Sequence, residues 1–455
     1  MKRMLFTVVF VTVFSLAVIP TTTAQTFNIQ PANPVLAGEP LTILLTGLPA
    51  NTDVKVTAER VVVAFGQGDK RALYRADAIY TTDTVGRLDL AKAAPKSGTY
   101  KGADIRGLFW SMVPTEAEIA ADRKVMQVRL SVTKGDKELA NATIDFINAL
   151  PTVKVEKVEK FPGAVFASLP GIEKRPVIIV LGGSEGGSST AREESPRLAS
   201  RGFAVLGLPY YSPPVWPSTK REIAELPEAF ADIPVDRLNA AYAWLKTRDD
   251  VDSSRIAIYG GSKGAEFALI AASNFSWITS VVASVPSDVV WEGWGPGIEP
   301  GQRSSFSLNG KPLAFVPYKE FNEEFMGFQN GTDVRIRRAQ DKGRAANPAA
   351  AVKARIPVEK FKGSLMVIGG HDDQVWASGM MAQIIAEKRA ASGLETVALI
   401  YTDAGHYLSG SGWGQTTQYN VGSMKSGGTP EGNARAQADA YPKMIAFLKR
   451  TLGVK

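Results

Sequence analysis

The chain has no cysteine and only two histidines in 455 residues. The first absence excludes disulfides, thiolate-bound metals and a cysteine nucleophile. The second narrows any general base of imidazole type to His371 or His406. Clustered lysine and arginine are also missing: the residues behind the formal charge of +7 are scattered, without aromatic interleaving. Nucleic acid is therefore not an expected partner. Low-complexity tracts and internal repeats are absent as well. Beyond residue 19 no apolar run approaches the ~20 residues of a membrane span.

The one long apolar run stands at the start. Lys2 and Arg3 precede Met4–Ile19, followed by Pro20 and the small-residue stretch TTTAQ. That is a positive n-region, an h-region and a cleavage point after Ala24, with Thr22 at the −3 position. Residues 1–24 are expected to be a cleaved signal peptide, and the mature protein a periplasmic or secreted one without a membrane span.

A chain of this length is too long for one core, so two domains are expected. From Phe27 to about Pro151 the pattern is β: Leu41–Leu45, Val54–Ala58, Val61–Phe65, Met126–Val132 and Ala142–Phe146 are short alternating or β-branched runs. Turn clusters separate them, as in an antiparallel β-sandwich. Trp110 and Met112 read as core residues of this part. After Pro151 the runs become apolar throughout: Val177–Leu181, Val205–Leu208, Ile256–Tyr259, Ile278–Ala283, Leu365–Ile368 and Val397–Tyr401. Strands buried on both faces of a parallel sheet have this composition. Helical patterns at Leu238–Leu245, Ala265–Ala272 and Ala434–Leu448 lie among them, the last with Pro442 as a candidate kink. The fold class is thus α/β, a doubly wound domain over 152–455 preceded by a β domain over 27–151. Trp291–Pro348 fits no regular pattern and reads as a lid or substrate-shaping excursion.

The chemistry centres on Arg255–Phe267, RIAIYGGSKGAEF. It reads as a strand, a turn of Gly260-Gly261-Ser262-Lys263-Gly264 and a helix opening at Ala265, which is G-x-S-x-G in a strand-to-helix context. A Cβ at Gly260 or Gly264 would collide with neighbouring backbone, and the serine itself takes a strained conformation. Ser262 is then an exposed nucleophile beside a helix N-terminus, where developing negative charge is favoured. Its base is expected to be His406, in Asp403-Ala404-Gly405-His406-Tyr407 after a late strand, with His371 the other candidate. The acid should follow the penultimate strand, where Gly370-His371-Asp372-Asp373-Gln374-Val375-Trp376 supplies two; the spacing favours Asp373 over Asp372. Oxyanion donors are expected from the backbone of Lys263 and of Gly183 and Ser184, in the loop GGSEGG after VIIVL. That loop lacks the Gly-Lys-Ser/Thr ending of a phosphate-binding loop. No metal or cofactor is needed.

ADAIYTTDTVGRLDL, SGTYKGADIRGLFWSM, VIIVLGGSEGG, LPEAFADIPVDRLNAAYAWL, GGSKGAEFAL, IPVEKFKGSLMVIGGHDDQVWAS, AGHYL and ARAQADAYPKMIAFL resemble, in this order, the acyl-CoA thioesterases related to bile acid-CoA:amino acid N-acyltransferase. The resemblance runs over nearly all of residues 27–452. It implies an immunoglobulin-like N-terminal sandwich and an α/β-hydrolase domain. It also implies Ser262, Asp373 (or Asp372) and His406 as the catalytic set, acting on small-molecule acyl thioesters. The acyltransferase branch carries cysteine where this chain has Ser262, so hydrolysis is expected over transfer. An exported carboxylesterase or lipase-like enzyme is the nearest alternative reading, and a catalytically silent binding protein a third.

Overall fold

A computed structural model describes residues 24–63, 70–171, 173–214 and 219–454. The leader signals from Lys2 to Thr22, and Phe65 with the turn that follows it, lie outside the described residues.

The N-terminal region is β because its side chains alternate between two environments. Its main strands are β1 (Thr26–Gln30), β2 (Thr42–Thr46), β3 (Asp53–Val63), β4 (Arg71–Thr81), β5 (Gln127–Lys134) and β6 (Lys137–Ile147), with one short helix, α1 (Gly107–Trp110). In β3 the side chains of Val54, Val56 and Ala58 are buried while Asp53 and Lys55 face solvent. A three-stranded sheet joins β1, β2 and Leu88–Asp89; a larger one runs Val35–Leu36, β6, β5, β3, β4, Ser97–Gly98. Both sheets feed one core, with Ile43 and Leu45 from the first and Val56, Tyr80, Leu130 and Ile144 from the second. Trp110 and Met112 are buried in it, and Trp413 from the far end of the chain joins them.

Two readings change here. The run at Val54–Ala58 and the described part of Val61–Phe65, which ends at Val63, belong to one strand, since Glu59 and Arg60 interrupt the apolar pattern but not the ladder to β4. Strand β4 itself escaped the pattern because its core positions include Ala76 and Ala78, whose apolar signal is weak.

The second region is built on an eight-stranded sheet. Its elements are β7 (Lys154–Lys157), β8 (Val165–Ser168), β9 (Arg175–Leu181), α2 (Ser189–Ala199), β10 (Ala204–Gly207), α3 (Arg237–Leu245), β11 (Val251–Gly261), α4 (Lys263–Ala272) and β12 (Ser280–Ser284). After the excursion come α5 (Arg337–Ala346), β13 (Ser364–Gly370), α6 (Ser378–Ala390), β14 (Val397–Tyr401) and α7 (Pro430–Leu452). The strand order is β7-β8-β10-β9-β11-β12-β13-β14, antiparallel over the first three and parallel from β10 onward. This is the α/β-hydrolase arrangement, and its loops after β9, β11, β13 and β14 meet at the carboxyl edge of the sheet. α7 runs through Pro442 without ending. Among the described residues no helix is long and apolar enough to cross a membrane.

The excursion is less irregular than its sequence suggested. It holds a small sheet at Phe306–Leu308 and Lys311–Pro312, short helices at Phe321–Phe325 and Gly327–Asn330, and all of α5. α5 buries only Ala339, Gln340 and Gly343, so no apolar stripe announced it.

Candidate active site

Each residue singled out in the sequence can now be placed. Strand β11 ends at Gly261, and Ser262 follows with φ 55° and ψ −121°, a left-handed backbone that a serine adopts only under constraint. The constraint is visible in the flanking glycines. A Cβ on Gly260 would fall 2.1 Å from the carbonyl oxygen of Gly264, and one on Gly264 would fall 2.4 Å from that of Gly182. Helix α4 opens directly at Lys263, two residues earlier than expected. Its first N–H groups therefore have no intrahelical partner and lie beside the serine.

His406, on the loop after β14, has its Nε2 3.0 Å from Ser262 Oγ. Its Nδ1 lies 2.8 Å from Asp373 Oδ2, on the loop after β13. A carboxylate oxygen only accepts, so Nδ1 carries the proton and Nε2 is left to accept from the serine hydroxyl. Asp373 is fully buried and His406 nearly so. The remaining acceptor capacity of Asp373 is taken up: Oδ1 receives the backbone N–H groups of Val375 (2.9 Å) and Trp376 (3.2 Å), and Ser378 Oγ donates to Oδ2 at 2.6 Å. Asp372 is exposed and engaged elsewhere, accepting from Gly428 N at 2.9 Å and Gln374 Nε2 at 2.7 Å. His371 is exposed as well.

The loop after β9 approaches the serine from the other side. A Cβ on Gly183 would stand 2.7 Å from Glu185 Oε2 and 3.3 Å from Ser262 Cβ, so this backbone passes close beside the serine. The Gly183 N–H donates to Glu185 Oε1 at 2.9 Å, an oxygen that Thr190 Oγ1 also reaches at 2.7 Å. Ser184 is exposed.

Three supporting contacts escaped the sequence reading. Ser378, five residues beyond Asp373, opens α6. Arg337, at the start of α5, donates to the carbonyls of His371 (3.0 Å) and Asp373 (2.9 Å), fastening the acid loop to the excursion. The third is an ion pair behind the nucleophile. Lys263 Nζ lies 2.6 Å from Glu266 Oε2 and 2.8 Å from Ser305 Oγ, facing the rings of Phe230, Trp294 and Phe306. Glu266 also accepts the Trp291 N–H at 3.1 Å. Burial pulls the Lys263 ammonium below its usual range and pushes the Glu266 carboxyl above its own, with their mutual attraction opposing both. The SKGAE spacing, i to i+3 on a helix, was the available signal for that pair.

Family comparison now adds to this geometry. The model described as "Acyl-CoA thioester hydrolase/BAAT N-terminal region" matches residues 38–160, and "BAAT / Acyl-CoA thioester hydrolase C terminal" matches residues 233–454. The chain belongs to this family. Acyl-CoA thioester hydrolase/BAAT relatives are similar over nearly their whole length. Acyl-coenzyme A thioesterase 1 of Rattus norvegicus is 27% identical over 94% of this chain and 97% of its own. The peroxisomal succinyl-coenzyme A thioesterase of Mus musculus is 27% identical over the same shares. The dienelactone hydrolase family model also matches, over residues 163–289. An esterase from Rhizomucor miehei superposes with a TM-score of 0.40 at 14% identity, over 67% of this chain and 85% of that one. As a member of the acyl-CoA thioester hydrolase/BAAT family, the protein is an enzyme that hydrolyses thioesters or esters.

Proposed function

We propose that this enzyme hydrolyses acyl-CoA thioesters to the free acid and CoA through Ser262, His406 and Asp373. The observation that carries the reading is the unbroken hydrogen-bonded series from Ser262 Oγ through His406 to Asp373. His406 Nε2 takes the serine proton as Oγ attacks the thioester carbonyl carbon, and Asp373 holds the ring and stabilises the imidazolium. The oxyanion meets the Lys263 N–H at the start of α4 and the Gly183–Ser184 backbone. Each such donor is worth ~3 kcal/mol to the transition state. Gly183 serves only when the Glu185 carboxylate releases its N–H. The thiolate leaves with a proton from His406. The same imidazole then activates water to cleave the acyl-serine ester.

A serine at this position favours hydrolysis over transfer to an amine, because an oxyester acyl-enzyme is open to water. The domain reading follows from the same family: an immunoglobulin-like sandwich over 27–151 packed on a catalytic domain over 152–455. Residues 1–24 are read as a removable leader of an exported enzyme, which N-terminal sequencing of protein from its native cell tests by finding Gln25 or Met1.

The deciding experiment compares acyl-CoA with p-nitrophenyl esters of matched chain length and asks whether a fluorophosphonate labels Ser262. Higher kcat/KM on the CoA series supports the proposal. Preference for the simple esters replaces it with a carboxylesterase, and no labelling of Ser262 overturns the serine mechanism.

A further inference from the structure

Arg60 on β3 is 7% exposed, yet no carboxylate among the described residues pairs with it. Its Nη1 donates to the Trp413 carbonyl at 2.8 Å and more weakly to Gln415 Oε1 at 3.4 Å, while its Nε has no partner among the described residues. The Phe146 ring lies 5.3 Å from the guanidinium carbon. Burial lowers its pKa to about 10, which leaves it charged at neutral pH. A buried cation without a counter-charge is costly, and a guanidinium cannot escape that cost by deprotonating.

The same side chain lines a cavity of about 290 Å³ between the N-terminal β region and the loop 410–415. No aspartate or glutamate lines it. The other cation on its wall, Arg197, is already compensated by Glu194 at 2.6 Å. Gln415 and Gln437 add side-chain amides at the polar end, whereas Val63, Met126 and Phe146 make the remainder apolar. Val63, which also lines it, is 42% exposed and so stands at its mouth. None of Ser262, Asp373 and His406 lines this cavity.

From an uncompensated guanidinium set in a half-apolar cavity, we infer that the domain junction is a second binding site, for a small amphiphilic carboxylate. The head pairs with Arg60 in the fork geometry that guanidinium and carboxylate share, and the hydrocarbon body covers Val63 and Met126. The volume suits a short or medium chain. Gln437 Nε2, on the same wall, donates to the carbonyl of Tyr407, next to His406, at 2.7 Å. This inference goes beyond the hydrolase reading and does not depend on it.

The test is calorimetric titration of the full chain with octanoate, with octanol and inorganic phosphate as separate arms. Wild type and Ser262→Ala should bind octanoate alike, with octanol and phosphate each at least tenfold weaker. Arg60→Gln should weaken octanoate tenfold or more. Because Arg60 also ties the two regions together, Val63→Trp provides a second variant, filling the mouth while leaving the guanidinium in place, and it should weaken octanoate as strongly. Octanol binding equal to octanoate would remove the anion site. Phosphate binding equal to octanoate would remove the amphiphile. Octanoate binding unchanged in both folded variants, or lost in Ser262→Ala alone, would overturn the inference. Loss of fluorophosphonate labelling would instead count against the serine mechanism only.

Discussion

Ser378 and His406 share one oxygen of Asp373: Ser378 Oγ donates to Oδ2 at 2.6 Å, and His406 Nδ1 meets the same atom at 2.8 Å. Since Oδ1 is occupied by two backbone N–H groups, the carboxylate has no other orientation that satisfies all four donors. Ser378→Ala removes one neutral-to-charged hydrogen bond without touching substrate. It should lower kcat roughly tenfold or less, the scale of one such bond, with KM unchanged. An unaltered kcat would mean that the backbone donors alone orient the acid.

The neighbouring aspartates separate cleanly. Asp373→Asn presents an amide to His406 Nδ1 and favours the wrong tautomer, so kcat should fall by up to ~10⁴-fold at neutral pH. Asp372→Asn disturbs only the contacts to Gly428 and Gln374 and should cost little. Steady-state rates of the two variants decide, and the reverse order would move the catalytic acid to Asp372.

Ser262→Ala should leave the fold intact and lower kcat by roughly 10³-fold or more, leaving only binding and oxyanion contributions. His406→Ala should match it, because the two act as a unit, while His371→Ala should change kcat far less. A tenth of wild-type activity surviving in Ser262→Ala across acyl-CoA and ester substrates would refute the nucleophile.

What the sequence made legible follows from how local each signal was. Ser262, Asp373 and His406 each follow a strand that holds a continuous apolar run, so strand, turn and candidate side chain could be read together. The N-terminal sheets were read in part, because Val and Leu marked β2 and β5 while Ala76 and Ala78 hid β4. Helix α5 was illegible for the same reason: it packs through small residues, and a Cβ on Gly343 would stand 2.2 Å from the Pro317 carbonyl oxygen. Arg337 and Ser378 were illegible for another reason. They support Asp373 through tertiary contacts, and no motif around either residue states what it touches.

The Lys263–Glu266 pair gives a stability prediction. Both groups are almost wholly buried, so removing one partner strands the other charge. Lys263→Met should destabilise the protein by about 3–5 kcal/mol in urea unfolding. Lys263→Met with Glu266→Gln removes both charges and keeps an acceptor for the Trp291 N–H, so the double variant should be more stable than the single one. A single variant as stable as wild type would show that the aromatic cage alone holds the first turn of α4 to the excursion.

Glu222 supplies the pH prediction. Burial alone would raise its carboxyl, but the donors from Ser188 and Arg192 outweigh this and bring it down to about 2 from an ordinary 4.5. It accepts the Ser188 N–H at 3.0 Å, also receives the Ser188 hydroxyl, and meets Arg192 at 2.5 Å, holding the start of α2 just past the loop that carries Gly183 and Ser184. Because the folded pKa lies below the unfolded one, the unfolded chain binds more protons between them. The contribution is therefore present above about pH 4.5 and is lost as pH falls towards about 2. Glu222→Gln should lower Tm at neutral pH, and the gap to wild type should close over that acid window. With the Glu222 side chain 39% exposed, solvent screens the contacts and the gap should be small. A gap that stays constant from pH 6 to pH 3 would assign the effect to packing of the loop, with no part played by the charge.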